Sequence, residues 1–265
     1  MSVPALQNQI QTDREKQLYP WAILANGGAT NTGTVDPLED LSQIGKNEGI
    51  WLDAAYGWSA VLHPEGQREL RGMELADSIT LDPHKWFGQT FETGCLLVRD
   101  GRRLGQTFSL KPEYLQDVLP TEMEINFADH GIALTRRFRA LRIWLSIKVL
   151  GLDWFKSLIQ RGIDLATLAA HLIEDNPHFE LLSPRKLSVV CFRYRPSSTA
   201  SEDEIESLNQ NLIRAIRTAG LFFLSSTRLD GKLSLRFCFV NWRTTAQDVE
   251  AILDWISDQG SNFAP

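Results

Sequence analysis

The first hundred residues repeat one pattern, a polar or helical stretch followed by a short apolar run and then a polar turn. The runs in "WAILANGG", "GIWLDAAYG", "SITLDPHK" and "GCLLVRDG" are each bounded by Gly, Asp or Pro and read as short buried strands. Between the first two, "DPLEDLSQIGKNEG" sets Leu38, Leu41 and Ile44 at helical spacing, with a stop at Gly49. Such alternation predicts an α/β layer built on a mostly parallel sheet. Sheets of this kind bind ligands beyond the C-terminal ends of their strands. The polar residues just after each run are therefore the first place to look for chemistry.

From Ile132 the pattern changes. "IALTRRFRALRIWLSIKVLG" puts Leu134, Phe138, Leu141, Leu145 and Val149 on one stripe, with Arg136, Arg137, Arg139 and Arg142 largely off it. This predicts a long amphipathic helix that stops near Gly151. A second helix is predicted from about Trp154 to Glu174. The last third reads strand ("LSVVCFRYR"), helix ("DEIESLNQNLIRAIRTAG"), strand ("KLSLRFCFV") and helix ("AQDVEAILDWI"). Thr244 and Gln247 form a capping-box pattern for that last helix, and "RPSSTASEDE" reads as an exposed loop. The expected organisation is part of a large α/β domain with bridging helices over residues 1–163, then a small α+β domain over 164–265.

Composition narrows the function classes. A hydrophobic share of 43% supports a sizeable core, and the net charge of −6 disfavours nucleic acid or an anionic membrane as partner. No apolar run reaches the length of a membrane span, and the polar start "MSVPALQNQIQTDREKQ" has no signal-peptide core. Cys95, Cys191 and Cys238 lie far apart in sequence, which fits a reducing, cytoplasmic setting. His63, His130, His171 and His178 lack metal-ligand spacing, so no metal site is expected.

Four segments carry candidate chemistry: "GGATNTGT" around Thr30, "DAAYG" with Asp53, "DPHKW" with Lys85, and the arginine-rich helix. Singly, each has an ordinary explanation as a turn, a strand-end cap, a solvated lysine or a hydrated helix face. Together and in this order they resemble the group II pyridoxal-phosphate-dependent amino-acid decarboxylases, which include aromatic amino-acid, glutamate and diaminobutyrate decarboxylases. "ADSITLDPHKW" is similar to that family's cofactor-lysine segment. "GATNTGTVDPL", "DAAYG", "LTRRFRALRIW" and "NWRTT" support it in family order, and the resemblance runs from about Leu6 to Ile256. An aminotransferase of the same fold fits "DPHKW" less well.

The resemblance implies a partial fold-type-I large domain followed by a small C-terminal domain, with pyridoxal phosphate held as a Schiff base on Lys85. A free lysine amine has a pKa of about 10.4, so desolvation or a cationic neighbour is needed to favour its nucleophilic form. By the same resemblance Asp53 partners the pyridine nitrogen and keeps the ring an electron sink. Ala55 packs against the ring, Asp82 and His84 lie near the phosphate, and Thr30 lies near the ring and the substrate carboxylate. Trp86 and Phe87 are expected to form an apolar wall of the pocket. The implied reaction removes the α-carboxylate of an amino acid as carbon dioxide and leaves an amine.

Three departures from the family pattern follow. The loop "KPEYLQDVLPTEMEINFADHG" should hold a tyrosine that protonates the substrate carbon, but the counted position falls on Phe127 or His130, and the loop's tyrosine is Tyr114. Phenylalanine at that point is linked in the family to aldehyde formation, and His130 is a candidate acid. "GIWLDAAYG" is two residues shorter than the family pattern, which keeps Asp53 on its face because side chains alternate with period two. The family's dimer-forming segment and phosphate-gripping half, which precede the matched region, have no counterpart in this sequence. Two readings result. One is a carboxy-lyase for a small-molecule amino acid, working as a homodimer or completed by an N-terminal fragment. The other is a truncated remnant without catalysis.

Overall fold

A computed structural model describes residues 1–46, 50–53, 55–109, 125–197 and 199–263, with residues 50–53 described by their backbone alone. Tyr114 and Gly49 lie outside the described residues. The element order begins α1 (Val3–Glu15), β1 (Ile23–Asn26), α2 (Leu38–Gly45), β2 (Ile50–Asp53), α3 (Pro64–Glu69), β3 (Ser78–Leu81), β4 (Cys95–Val98) and α4 (Arg102–Phe108). It continues with α5 (Ala140–Leu150), α6 (Leu152–Asp175), β5 (Phe179–Leu181), β6 (Val189–Tyr194), α7 (Glu202–Ala219), β7 (Ser225–Leu229), β8 (Lys232–Cys238) and α8 (Ala246–Phe263).

The four predicted early strands form one sheet in the order β1-β2-β3-β4. β1, β2 and β3 run parallel and β4 returns antiparallel. In register, Asn26 stands beside Asp53 and Asp53 beside Thr80, so the three parallel strands end at a common edge. α2 buries Leu38 and Leu41 against this layer, as their spacing predicts.

The second sheet, β5-β6-β8-β7, is antiparallel throughout. β6 is buried on both faces. Val190, Phe192 and Tyr194 enter a core with Leu212 of α7, Ile256 of α8 and Ile173 of α6. Val189 and Cys191 point the other way, into a cluster with Tyr56, Trp86 and the Ile159–Ile163 part of α6. One strand thus joins the small domain's core to the loops at the end of the first sheet. Period-two alternation makes this double role possible.

Three sequence expectations are corrected. The predicted helix from Ile132 shortens to α5, Ala140–Leu150, and its stripe is exposed, with Phe138 74% and Val149 79% accessible. Helices draw most of their stability from burying an apolar face. Leu134 and Phe138 are themselves exposed, and Arg139 at the helix start makes no side-chain cap. The cap of α8 falls one residue later than predicted: Thr245 Oγ1 accepts from Asp248 N–H at 3.2 Å, and Thr245 N–H donates to Asp248 Oδ2 at 2.8 Å. Within "RPSSTASEDE", Ser201 and Glu204 form a capping box, so α7 starts at Glu202, just before the predicted start at Asp203.

Candidate active site

The turn that follows β3 leaves the Lys85 side chain partly exposed while the two residues after it are buried. The segment 82–89 folds on itself through Lys85 N–H to the Asp82 carbonyl at 3.0 Å, Gly88 N–H to Lys85 at 3.1 Å and Gln89 N–H to Pro83 at 3.0 Å. Lys85 Nζ lies 3.0 Å from Asp82 Oδ2, and its side chain is 39% exposed. The next two residues are driven inward. Trp86 is fully buried and stacks on Tyr56, with centroids 5.4 Å apart and planes at 9°. Phe87 stacks on Phe155 of α6 at 4.2 Å. The wall role expected for Trp86 and Phe87 is therefore corrected: both are core anchors, buried because their apolar area is worth far more inside than at a solvent-open site.

The other predicted residues gather at the same edge to different degrees. Asp53 ends β2, the strand beside β3, and its side chain lies outside the description. Ala55 is tied directly to the lysine turn, because Asp82 N–H donates to its carbonyl at 3.2 Å. His84 Nδ1 lies 2.8 Å from the Thr93 carbonyl and 3.2 Å from Thr93 N, and the ring meets Phe91 edge-on at 5.2 Å. The arginine-rich segment also reaches this region. Arg139 pairs with Glu92 at 3.2 Å, and Arg142 donates to the Phe91 carbonyl at 3.3 Å.

Thr30 sits on the exposed loop after β1, and the second sheet holds that loop. Arg236 of β8 donates to the Thr30 carbonyl through Nη2 at 2.7 Å and to the Asn31 carbonyl through Nε at 3.1 Å. Gly33, at φ +74°, passes so close to Lys186 that a Cβ would stand 2.4 Å from its carbonyl oxygen. His130 lies apart, on a turn (Phe127–His130) packed against α4 near Gly105. Among the described residues no contact joins it to Lys85, Asp82 or His84.

Two functional candidates were missed in the sequence. Tyr56, buried in the turn after Asp53, hydrogen-bonds through its hydroxyl to Ser188 Oγ and accepts from Ser188 N–H at 3.2 Å. Burial pushes its phenol well above the ordinary range. Arg236 was the other. The available signals were a charged residue inside the apolar "KLSLRFCFV" and a lone serine in "LSVVCF".

Residues 1–195 match the family model described as the pyridoxal-dependent decarboxylase conserved domain. The chain belongs to this family. Among the family's curated members, an aromatic-L-amino-acid decarboxylase from Bacillus atrophaeus is 42% identical over 256 residues, covering 96% of this chain and 53% of its own length. A phenylacetaldehyde synthase from Arabidopsis thaliana is 36% identical over 235 residues, covering 88% of this chain and 48% of its own. The solved structure of Oryza sativa TDC with PLP and tryptamine superposes with a TM-score of 0.93 at 26% identity, over 100% of this chain and 55% of that one. The fold is that of these decarboxylases in part, since the chain spans about half the length of the curated relatives it matches. No helix among the described residues is long and apolar enough to cross a membrane.

Proposed function

We propose that this chain carries the lysine-bearing part of a pyridoxal-phosphate-dependent amino-acid decarboxylase. In this reading Lys85 covalently holds the cofactor's aldehyde and Asp53 partners its pyridine nitrogen. The supporting observation is that Asp53 ends β2 beside β3, the strand that leads into the Lys85 turn, and that Asp82 N–H of that turn bonds to the Ala55 carbonyl at 3.2 Å. The donors present suit such a group: a half-exposed primary amine open to an aldehyde, a carboxylate residue at a strand end, and an imidazole fixed by the backbone. When bound, the cofactor supplies an electron sink for loss of the substrate's carboxylate.

The protein's own residues have separable tasks. Asp82 hydrogen-bonds the Lys85 ammonium and keeps it aimed along the turn. Ala55, with its small side chain, leaves room for a flat ring. His84 is oriented to meet an anion near the turn, and Thr30 lines the substrate side on its braced loop. His130 is kept as the candidate acid for the substrate carbon on its sequence position alone, because among the described residues no contact joins its turn to Lys85. An aldehyde product, the competing outcome tied to Phe127, requires a two-electron oxidant such as dioxygen in addition to the substrate. One relative is named for aromatic amino acids, so these are the first substrates to assay. The proposal includes a cytoplasmic setting, and a division between residues 1–163 and 164–265 within α6.

The test is borohydride trapping of pyridoxal phosphate, with the modified lysine mapped by mass spectrometry. A label on Lys85 that vanishes in Lys85→Ala supports the reading. The same trapped product in both proteins refutes it.

A second reading is favoured by exposed apolar side chains, among them Ile132 at 97% accessibility and Trp21 at 84%. It makes the site dependent on a partner polypeptide, either a second copy or a complementing N-terminal fragment, with the chain alone a non-catalytic remnant. Capture at Lys85 that appears only after such a fragment is added supports it.

A further inference from the structure

We propose that Tyr56 is a positioning residue for Lys85, its ring holding the lysine turn in place relative to the end of β2. The inference rests on the reading of Lys85 as the cofactor-bearing residue.

Tyr56 follows Asp53 by three residues, and Trp86 follows Lys85 directly. Their rings lie flat on each other at 5.4 Å and 9°, so the two candidate residues are joined through a buried stack. A backbone bond reinforces it, from Asp82 N–H to the Ala55 carbonyl at 3.2 Å. The tyrosine is in turn anchored from the second sheet, where Ser188, 132 residues away, donates its N–H and shares a hydroxyl bond. Both Ser188 and Trp86 are fully buried. The turn 82–89, closed by its own backbone bonds, therefore stands on Trp86, and Trp86 stands on Tyr56.

Filling space alone requires neither a coplanar ring nor a hydroxyl with two partners. A buried hydroxyl is costly to strand and is retained where its bonds are made. The arrangement also gives the small domain an indirect hold on the Lys85 turn, from Ser188 through Tyr56 to Trp86. Rigid support of this kind keeps a reactive group within the narrow range of productive geometry.

Tyr56→Leu removes ring and hydroxyl, whereas Tyr56→Phe keeps the stack. Two readouts are taken on the full chain: amide hydrogen exchange in residues 82–89, and borohydride-trapped pyridoxal phosphate at Lys85 relative to Lys148 and Lys156. In Tyr56→Leu, exchange at 82–89 is expected to rise about tenfold and relative capture at Lys85 to fall about tenfold, with exchange in α7 unchanged. Tyr56→Phe is expected to restore both to within about threefold of the parent. Should Tyr56→Leu lose its cooperative melt, Trp86→Phe, which shrinks the opposing ring, replaces it with the same directions of change. If the parent is captured at Lys85 and the variant is captured equally, the positioning role is overturned. Exchange rising equally in α7, with labelling altered at every lysine, overturns it in favour of a general structural role. Failure of the parent to be captured at Lys85, both alone and with the complementing N-terminal fragment added, overturns the cofactor reading itself, and with it the purpose assigned to Tyr56.

Discussion

Lys85 Nζ stands 3.0 Å from Asp82 Oδ2 across a single tight turn. Both partners come from the same few residues, so the turn sets the direction of the amine without help from a distant charge. The pair is partly exposed, with 39% of the Lys85 side chain and 25% of Asp82 accessible. Water screens such pairs, which contribute about 0–1 kcal/mol. The amine is held loosely enough to be drawn into other chemistry.

Lys85→Ala is accordingly expected to change unfolding free energy by no more than about 0.5 kcal/mol while abolishing covalent capture of pyridoxal phosphate. Asp82→Asn is expected to cost less than about 1 kcal/mol. Urea titrations read the first effect and mass mapping the second. A strongly destabilised Lys85→Ala variant would mean that the lysine is a structural member of the turn.

Gly162 on α6 lets the helix lie against the anchor of the lysine turn. A Cβ there would stand 2.7 Å from the Phe239 carbonyl oxygen and 2.8 Å from Trp86 Nε1. Backbone on one side and a fully buried indole on the other leave little room to yield. Gly162→Ala is expected to destabilise by about 1–3 kcal/mol despite alanine's better helix propensity. Thermal melting checks this, and a stabilised variant would contradict the close packing.

Arg193 of β6 is 3% exposed and pairs with Glu180 and Glu202, which are 29% and 62% exposed. Removing the two carboxylates leaves a buried cation without compensation, whereas removing the arginine leaves carboxylates that water can reach. The double variant Glu180→Ala, Glu202→Ala is expected to lose clearly more stability than Arg193→Met. Equal losses in urea unfolding would show that the guanidinium is better hydrated than its burial indicates.

Alkaline pH is expected to weaken the fold. Burial pushes Tyr56, Cys191 and Cys238 above their ordinary ranges. In the unfolded chain thiols release protons near about 8.5 and phenols near about 10. Above those values the unfolded state binds fewer protons than the native one, so unfolding free energy falls as pH rises. Urea midpoints should hold up to about pH 8 and then decline, and Tyr56→Phe should flatten the portion above about pH 10. Midpoints unchanged at high pH would show that these groups ionise as readily folded as unfolded.

Local pattern alone was enough for much of this protein. The runs around Ile23, Trp51, Ile79 and Leu96 became strands, and the spacing of Leu38 with Leu41 became the buried face of α2. Asp53 and Lys85 became candidates through the resemblance of "DAAYG" and "DPHKW", in that order, to the motifs of a decarboxylase family. The partners of buried groups were decided only in three dimensions. Tyr56 meets Ser188 from 132 positions away. Arg236 grips a loop 206 positions earlier. Trp86 and Phe87 read as pocket wall but are core. The stripe from Leu134 to Val149 predicted a long amphipathic helix, yet only Ala140–Leu150 is helical and its face is open. Periodicity records which side chains share a face, since that depends on neighbours two to four residues apart. What covers the face depends on segments that meet only when the chain has folded, and no local spacing encodes that.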